Sequence, residues 1–433
     1  MKILVAYAKF NPQGKAGSDV YLLGLCRELA ALGHDITVAT TASSRFVPME
    51  AFSLKWLNDD PGDLDRDVGF QILRFPVSGQ IPDWLRRPVA RFILRQWEHE
   101  DFRNAALQSH SSRFPEFTLR QVESRSSIFD WLHAYTIGPN SSALRRYLFK
   151  HTREFDCVVA GYFPFNTVGL AVRAARKAGR PCFVAPLWHS EDRYHYFKHL
   201  FNALRDCAGI ICETRHAQAL LERLRPGVPS VQAGIGVTSR YLLPPAGIRP
   251  AWINTLKERQ RRILLYVGRK EESKNYLLLI EIMRNLEALP VTLVMIGRDV
   301  DQKPIQLPNV VLLEQVDDHE LQWAYHACDI FLFPSLKESF GIVILEAWAA
   351  EKPVIGHRRC AAVSSLIEHD VNGLLCETLE DWTSAIKFLL DDQSRSRTLG
   401  VNGYETLVSQ YTWKIVGRKV SDFIEFHSRK TGS

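Results

Sequence analysis

The strongest constraint on this chain is a folding unit that opens twice. The apolar run "KILVAYA" leads into the turn-forming "KFNPQGKAGSD" and then into "VYLLGLCRELAALG", whose helical spacing ends at Gly33. The β-branched "HDITVATT" follows. Strand, loop, helix, strand is a βαβ unit, which implies a parallel sheet with helices on its faces. The same order restarts at "RRILLYVGRK" (261–270), runs through "NYLLLIEIMRNLEAL" and returns to a strand at "VTLVMIGRD". With 433 residues, more than one hydrophobic core usually fills, two doubly wound α/β domains are predicted.

The first series continues through "FDCVVAGY", "RPCFVAPLWH" and "AGIICETR", each a short apolar run after a helical stretch. Between the series, "LLPPAGIRPAW" (242–252) carries three prolines and reads as a linker. The expected domains are 1–245 and 261–411, with a linker over 246–260. Ligands of such sheets bind at the carboxyl ends of the strands, where helix N-termini point, so function is expected in a cleft between the two domains.

Residues 45–150 are less regular and rich in Arg, Trp and Phe. There, "WLRRPVARFILRQW" (84–97) places Leu85, Val89, Phe92, Ile93 and Trp97 on one helical face and Arg87, Arg91 and Arg95 opposite, with no acid in the stretch. Such a basic amphipathic helix suits an anionic membrane surface or a lipid-linked acceptor; the plain alternative is a helix packing on its own domain.

A net charge of +6, from 54 Lys plus Arg against 48 Asp plus Glu, is mild, and no basic block resembles a nucleic-acid arm. The eight cysteines are scattered without CxxC pairing, mostly in apolar surroundings, as expected of free thiols in a reducing compartment. "MKILVAYA" runs into a glycine loop and not a cleavage site, and no stretch reaches the ~18 apolar residues of a membrane span. The expectation is a cytosolic protein, or one held at the cytoplasmic face of the inner membrane.

Two stretches of the second domain carry chemistry. In "YVGRKEESKN" (266–275) a strand ends at Gly268, and Arg269 and Lys274 stand at the start of a helix, so cations and backbone N–H groups can converge on a diphosphate. Surface cations that merely begin a helix are the alternative. In "PSLKESFGIVILEAW" a helix is expected to begin near Ser339 or Phe340, so that Ser339, Phe340 and Gly341 offer unpaired N–H groups; Gly341 permits close approach. Glu338 precedes this helix. Glu346 lies within it, between Ile342–Leu345 and Ala347–Ala350, so it is expected to be buried and to need a partner. Phosphates flanked by hydroxyls match this layout, which points to a nucleotide sugar, with Glu346 on the ribose and Glu338 facing the sugar. The loop "NPQGKAGSD" lacks GxGxxG, but Gly14 and Gly17 let the backbone approach a ligand. His195 and His199 are spaced for one helix face, yet without a third ligand or HExxH no metal site is expected.

The E-x7-E pattern of Glu338 and Glu346, preceded by "VGRKEESKN" and "VDDHELQWAYHACDIFLFPS" and followed by "IEHDVNGLL", resembles the family 4 retaining glycosyltransferases of the GT-B fold. "AGSDVYLLGLCRELAALGHDITVATT" resembles the glycine loop, first helix and second strand of that family, and "YTWKIVGRKVSDFIEF" its C-terminal helix. The resemblance implies two Rossmann-like domains facing a cleft, with the helix in 412–433 returning to the first. It implies transfer of a sugar from a nucleotide diphosphate donor to a glycan or lipid-linked acceptor, with retention and without a required metal or other cofactor. By position, Arg269 and Lys274 would hold the diphosphate, Glu346 the ribose, and Glu338 with Ser339 to Gly341 the sugar and phosphates. Gly268 would sit at the donor, and Gly17 would approach the diphosphate from the first domain.

Two positions depart from the family pattern. Gly161 and Tyr162 stand where many members carry a His near the sugar, leaving His189 of "APLWHSED" as the polar candidate; and "GKAG" replaces the common double glycine. Alternatives are a catalytically silent GT-B protein that serves another transferase as partner or scaffold, and an epimerase or phosphorylase on the same fold.

Overall fold

The computed structural model describes residues 1–43, 45–50, 53–59, 65, 68–82, 84–85, 88–89, 91–93, 127–190 and 195–430. The chain divides into two compact units, Met1–Gly234 with Val416–Ser433, and Ile235–Ile415.

In the first unit, seven strands form one sheet in the order β5-β2-β1-β6-β7-β8-β9: β1 Lys2–Tyr7, β2 Asp35–Thr41, β5 Gln71–Phe75, β6 Cys157–Gly161, β7 Cys182–Ala185, β8 Gly209–Cys212 and β9 Ser230–Gln232. Every pairing in it is parallel. The middle strands are buried throughout, which explains their unbroken apolar runs, since helices cover both faces. The strand order reverses between β1 and β6, where Tyr7 pairs with Gly161. A Cβ on Gly161 would sit 2.5 Å from the Tyr7 ring, so only glycine fits there.

The region read as irregular supplies the edge strand β5. It also holds an antiparallel pair, β3 Arg45–Glu50 with β4 Ser53–Leu57, and the helices Ser127–Ile137 and Ser142–His151. Its half-buried side chains mask β5 in the sequence: "QILRF" carries Gln71 and Arg74, the latter paired with Asp65 at 2.6 Å. In the 84–97 stretch, Ile93 is fully buried and Val89 packs on the core, but Phe92, placed on the same face by spacing, is exposed, as is Trp84. Arg87, Arg95 and Trp97 lie outside the described residues.

The second unit repeats the design with six parallel strands in the order β12-β11-β10-β13-β14-β15: β10 Arg262–Val267, β11 Val291–Ile296, β12 Val310–Leu313, β13 Ile330–Phe333, β14 Val354–His357 and β15 Leu374–Cys376. Its order reverses between β10 and β13. Residues 246–260, expected as a linker, carry the helix Ala251–Glu258 with Ile253 fully buried. Pro250 precedes that helix as its cap, and a proline there costs no intrahelical hydrogen bond. The eight cysteines are free, and all but the partly exposed Cys207 are buried.

Candidate functional site

Arg269, Lys274 and Glu338 stand where β10 and β13 end side by side, the switch point at which doubly wound sheets bind ligands. After β10 the chain turns tightly at Gly268. Gly297, at φ +138°, abuts the Gly268 carbonyl so closely that any Cβ would overlap it. The Tyr266 hydroxyl donates to the Arg269 carbonyl at 2.8 Å and braces the turn. Arg269 is exposed and pairs with Glu271 at 3.0 Å. A 3-10 turn, Glu272–Lys274, then ends at Asn275, at φ +52°, whose side chain donates to the Pro334 carbonyl at 3.2 Å. That bond ties the two strand ends together. Lys274 Nζ meets Glu338 Oε1 at 2.7 Å, and both side chains are largely buried.

Beyond β13 the chain passes through the buried Ser335 and the half-buried Glu338 and Ser339. The helix begins later than expected: it spans Ile342–Ala349, with Gly341 as a left-handed cap at φ +96°. Phe340 is drawn out of helical register because its ring is buried edge-on against Tyr411, 5.6 Å between centroids. The N–H groups of Ser339 and Phe340 therefore belong to a loop and not to the first helical turn.

Glu346 is half-buried, not enclosed as its apolar flanks suggested. Its partner is Tyr325, whose hydroxyl donates to Oε2 at 2.6 Å. Burial pushes the carboxyl up to about 7, against the lowering effects of the Tyr325 hydrogen bond and Arg240, while Asp318 adds a smaller raising effect. Arg240 pairs with Asp318 and lies over the Tyr241 ring. Tyr325 and Arg240 were not singled out from sequence, where nothing marks either as a neighbour of Glu346. Next to the Gly268 turn, a cleft of about 550 Å³ is lined by Arg298, Asp299, Gln302, Lys303 and Glu314 among others; the Lys270 N–H bonds the Arg298 carbonyl at 2.9 Å.

In the first unit, Gly17 opens the helix Gly17–Ala31, and a Cβ there would touch nothing within 4 Å. Packing does not require glycine at that position. The loop before it is held by a pair that sequence reading missed: Lys9 Nζ lies 3.1 Å from Asp19 Oδ2, both buried, and the Asn11 N–H donates to Asp19 Oδ1 at 3.1 Å. His189 follows β7, half-buried, with its N–H donating to His195 Nδ1 at 3.2 Å. His195 and His199 do not pair with each other: His199 Nε2 meets His133 Nδ1 at 3.0 Å, and burial pushes both His195 and His199 down to about 3. Among the described residues no cluster of three or more His, Cys, Asp or Glu side chains could hold a metal ion.

Residues 249–406 match the glycosyl transferases group 1 family and residues 16–225 match the glycosyl transferase 4-like domain. The chain belongs to the group 1 glycosyl transferases. A D-inositol 3-phosphate glycosyltransferase of Corynebacterium kroppenstedtii is 32% identical over 137 residues, covering 31% of this chain and 29% of that one. The capsular polysaccharide biosynthesis glycosyltransferase CapM of Staphylococcus aureus is 28% identical over 182 residues, covering 38% and 47%. The match thus spans less than half the length of either relative. Among solved structures, Anabaena Alr3699/HepE in complex with UDP and glucose superposes with TM-score 0.66 at 13% identity, covering 98% of this chain and 99% of that one. The fold of this group 1 member is GT-B, with two Rossmann-like units.

Proposed function

We propose that the protein transfers a sugar from a nucleoside diphosphate sugar to a glycan or lipid-linked acceptor, with retention of anomeric configuration. The observation that carries this reading is the union of Lys274 and Glu338 at 2.7 Å across the β10 and β13 ends, with Arg269 beside it. Arg269 and Lys274 take the diphosphate, whose oxygens compete with Glu271 and Glu338 for the two cations. They stabilise the charge that develops as the bond from the sugar C1 to the phosphate oxygen breaks, which is the largest electrostatic demand of the step. The acceptor oxygen attacks C1 from the same face, and its proton passes to the departing phosphate oxygen. With these cations supplying the charge, no metal is required. Glu338, with the Ser339 to Gly341 backbone, positions the sugar. Glu346 accepts from the ribose hydroxyls, the neighbouring cleft offers room for the base, and His189 faces the sugar or acceptor. HepE, whose solved complexes hold UDP, glucose and UDP-glucose, supports the donor class.

Polysaccharide or glycolipid assembly is the process we propose, in keeping with the role named for CapM. Among the described residues no helix is long and apolar enough to cross a membrane. We place the protein in the cytoplasm or at the cytoplasmic membrane face, with Trp84 and Arg91 of the 84–97 stretch exposed toward a lipid surface.

Titration calorimetry and thermal-shift screening against UDP, GDP, ADP, dTDP and their sugars test the proposal, with wild type beside the Arg269→Ala/Lys274→Ala double variant. Selective binding that is lost in the double variant is expected. Absence of binding to every nucleotide would overturn it in favour of a silent partner protein, a reading to which Gly161 and Tyr162, at a position where many members carry His, lend their weight.

A further inference from the structure

After β7 the backbone makes an unusual turn that ends on His189. Leu187 adopts φ +46°, a left-handed conformation that a branched side chain holds only when its surroundings over-determine it. The next three residues show what does so. The Trp188 N–H donates to Glu213 Oε1 at 2.7 Å, the His189 N–H donates to His195 Nδ1 at 3.2 Å, and the Ser190 carbonyl accepts from the Tyr196 hydroxyl at 2.6 Å. Glu213, His195 and Tyr196 are 2%, 3% and 1% exposed. Three consecutive backbone groups are thus each gripped by a buried side chain, and the middle grip falls on the residue offered as the polar group of this strand end.

The protonation states suit this arrangement. Burial holds the His195 imidazole neutral, and because Nδ1 accepts, its proton resides on Nε2. Its ring is wedged edge-on among those of Phe163, Trp188 and His189, with centroids 6.1, 5.5 and 5.3 Å away. Burial pushes the Glu213 carboxyl up to about 8, so it is a neutral acid at neutral pH. Among the described residues, the titratable groups that face it are the Tyr21 phenol of the helix Gly17–Ala31 and the Cys212 thiol at the end of β8, both pushed up by burial and therefore neutral. Neither offsets a charge on Glu213. Among the described residues no cation faces it, so its ionisation leaves a buried carboxylate that the packed turn must rearrange to relieve.

We propose that Glu213, His195 and Tyr196 are positioning residues that fix the 188–190 backbone and thereby set the His189 imidazole for sugar transfer. The inference rests on the reading of His189 as a group facing the sugar or acceptor. It goes beyond a folding role because the grip is concentrated on the backbone around one side chain.

The test measures release of nucleoside diphosphate from whichever UDP, GDP, ADP or dTDP sugar binds best in the screen, with water as acceptor. The variants are His189→Ala, Glu213→Ala, Glu213→Gln and Tyr196→Phe. Thermal melting and affinity for the free nucleoside diphosphate serve as controls. Glu213→Ala and His189→Ala are expected to lower kcat by about 10- to 100-fold, the cost of misplacing a reacting group by an ångström or so, with nucleotide affinity unchanged. Tyr196→Phe lowers kcat to a lesser degree. Glu213→Gln, which keeps the acceptor and mimics the neutral acid, is expected to restore what Glu213→Ala loses and to lack the fall in kcat expected of wild type as pH rises through about 8. Independently of turnover, the Trp188 amide resonance of wild type is expected to titrate in that range and to stay still in Glu213→Gln. If His189→Ala abolishes turnover while folded Glu213→Ala retains it, or if the Trp188 amide is indifferent to pH, the grip has no positioning role. If His189→Ala itself turns over normally, the reading of His189 falls and the positioning role falls with it.

Discussion

The Tyr325 hydroxyl donates to Glu346 Oε2 at 2.6 Å and ties the helix Asp318–Ala327 to the carboxylate that we assign to the ribose. The bond favours the ionised form, and so opposes the burial that lifts Glu346 to about 7. Without the hydroxyl the carboxyl rises further.

Nucleotide affinity should therefore follow the charge of Glu346. A carboxylate accepts from two ribose hydroxyls more strongly than the neutral acid does, so wild-type affinity increases as pH rises through about 7. Tyr325→Phe moves that rise to higher pH, and Glu346→Gln binds weakly with no rise at all. Calorimetric titration with the preferred nucleoside diphosphate at several pH values gives the curves. A flat wild-type curve would remove Glu346 from the ribose.

Glu346→Ala should cost donor affinity more than fold stability, because the side chain is only half-buried and its loss leaves a single tyrosine hydroxyl to rehydrate. Chemical denaturation beside the same titrations compares the two. A large loss of stability with intact binding would make Glu346 a structural acid.

The two cations should separate in what they do for the fold. Lys274 and Glu338 are 17% and 13% exposed, so Lys274→Ala leaves a largely buried carboxylate without its partner and costs about 1–3 kcal/mol of stability. Arg269 is 60% exposed, and removal of its pair with Glu271 costs ~0–1 kcal/mol. Both variants should weaken diphosphate binding by roughly 10-fold or more, since each removes a charge-assisted contact. Equal stability losses, or diphosphate affinity unmoved by either, would contradict this division.

Gly400→Ala tests the packing behind the site. A Cβ there would overlap the Glu351 carbonyl oxygen, driving the helix Gln393–Gln410 off the chain just beyond the helix that carries Glu346. A loss of about 1–3 kcal/mol is expected by denaturation, the usual cost of forcing one extra carbon into a packed contact. Wild-type stability would mean that this contact is looser than described.

Much of this was legible in the sequence. The βαβ openings announce themselves because buried parallel strands have no solvent face and read as unbroken apolar runs. The strand β5 does not, since as an edge strand with half-buried side chains it tolerates Gln71 and Arg74. Arg269 and Lys274 were visible because the turn that carries them is local, and Glu338 and Glu346 because of the pattern between them. The start of the helix at Ile342 was misplaced by two to three residues, because it depends on Phe340 docking against Tyr411 from far along the chain. The histidines show the same dependence: His195 and His199 are spaced for one helix face, whereas tertiary packing gives one to His189 and the other to His133.

The sequence by itself determined the βαβ openings of both units, the two-unit α/β design and the residue types at the ends of β10 and β13, all of which depend on periodicity and on short-range turn chemistry. Only the tertiary structure decided that Lys274 meets Glu338, that Tyr325 supports Glu346, and that Glu213, His195 and Tyr196 grip the turn before and after His189. In a parallel sheet, strands that lie side by side are joined by long crossovers, so side chains that share a strand end are distant in the chain, and their pairing and protonation follow from burial that no local pattern records.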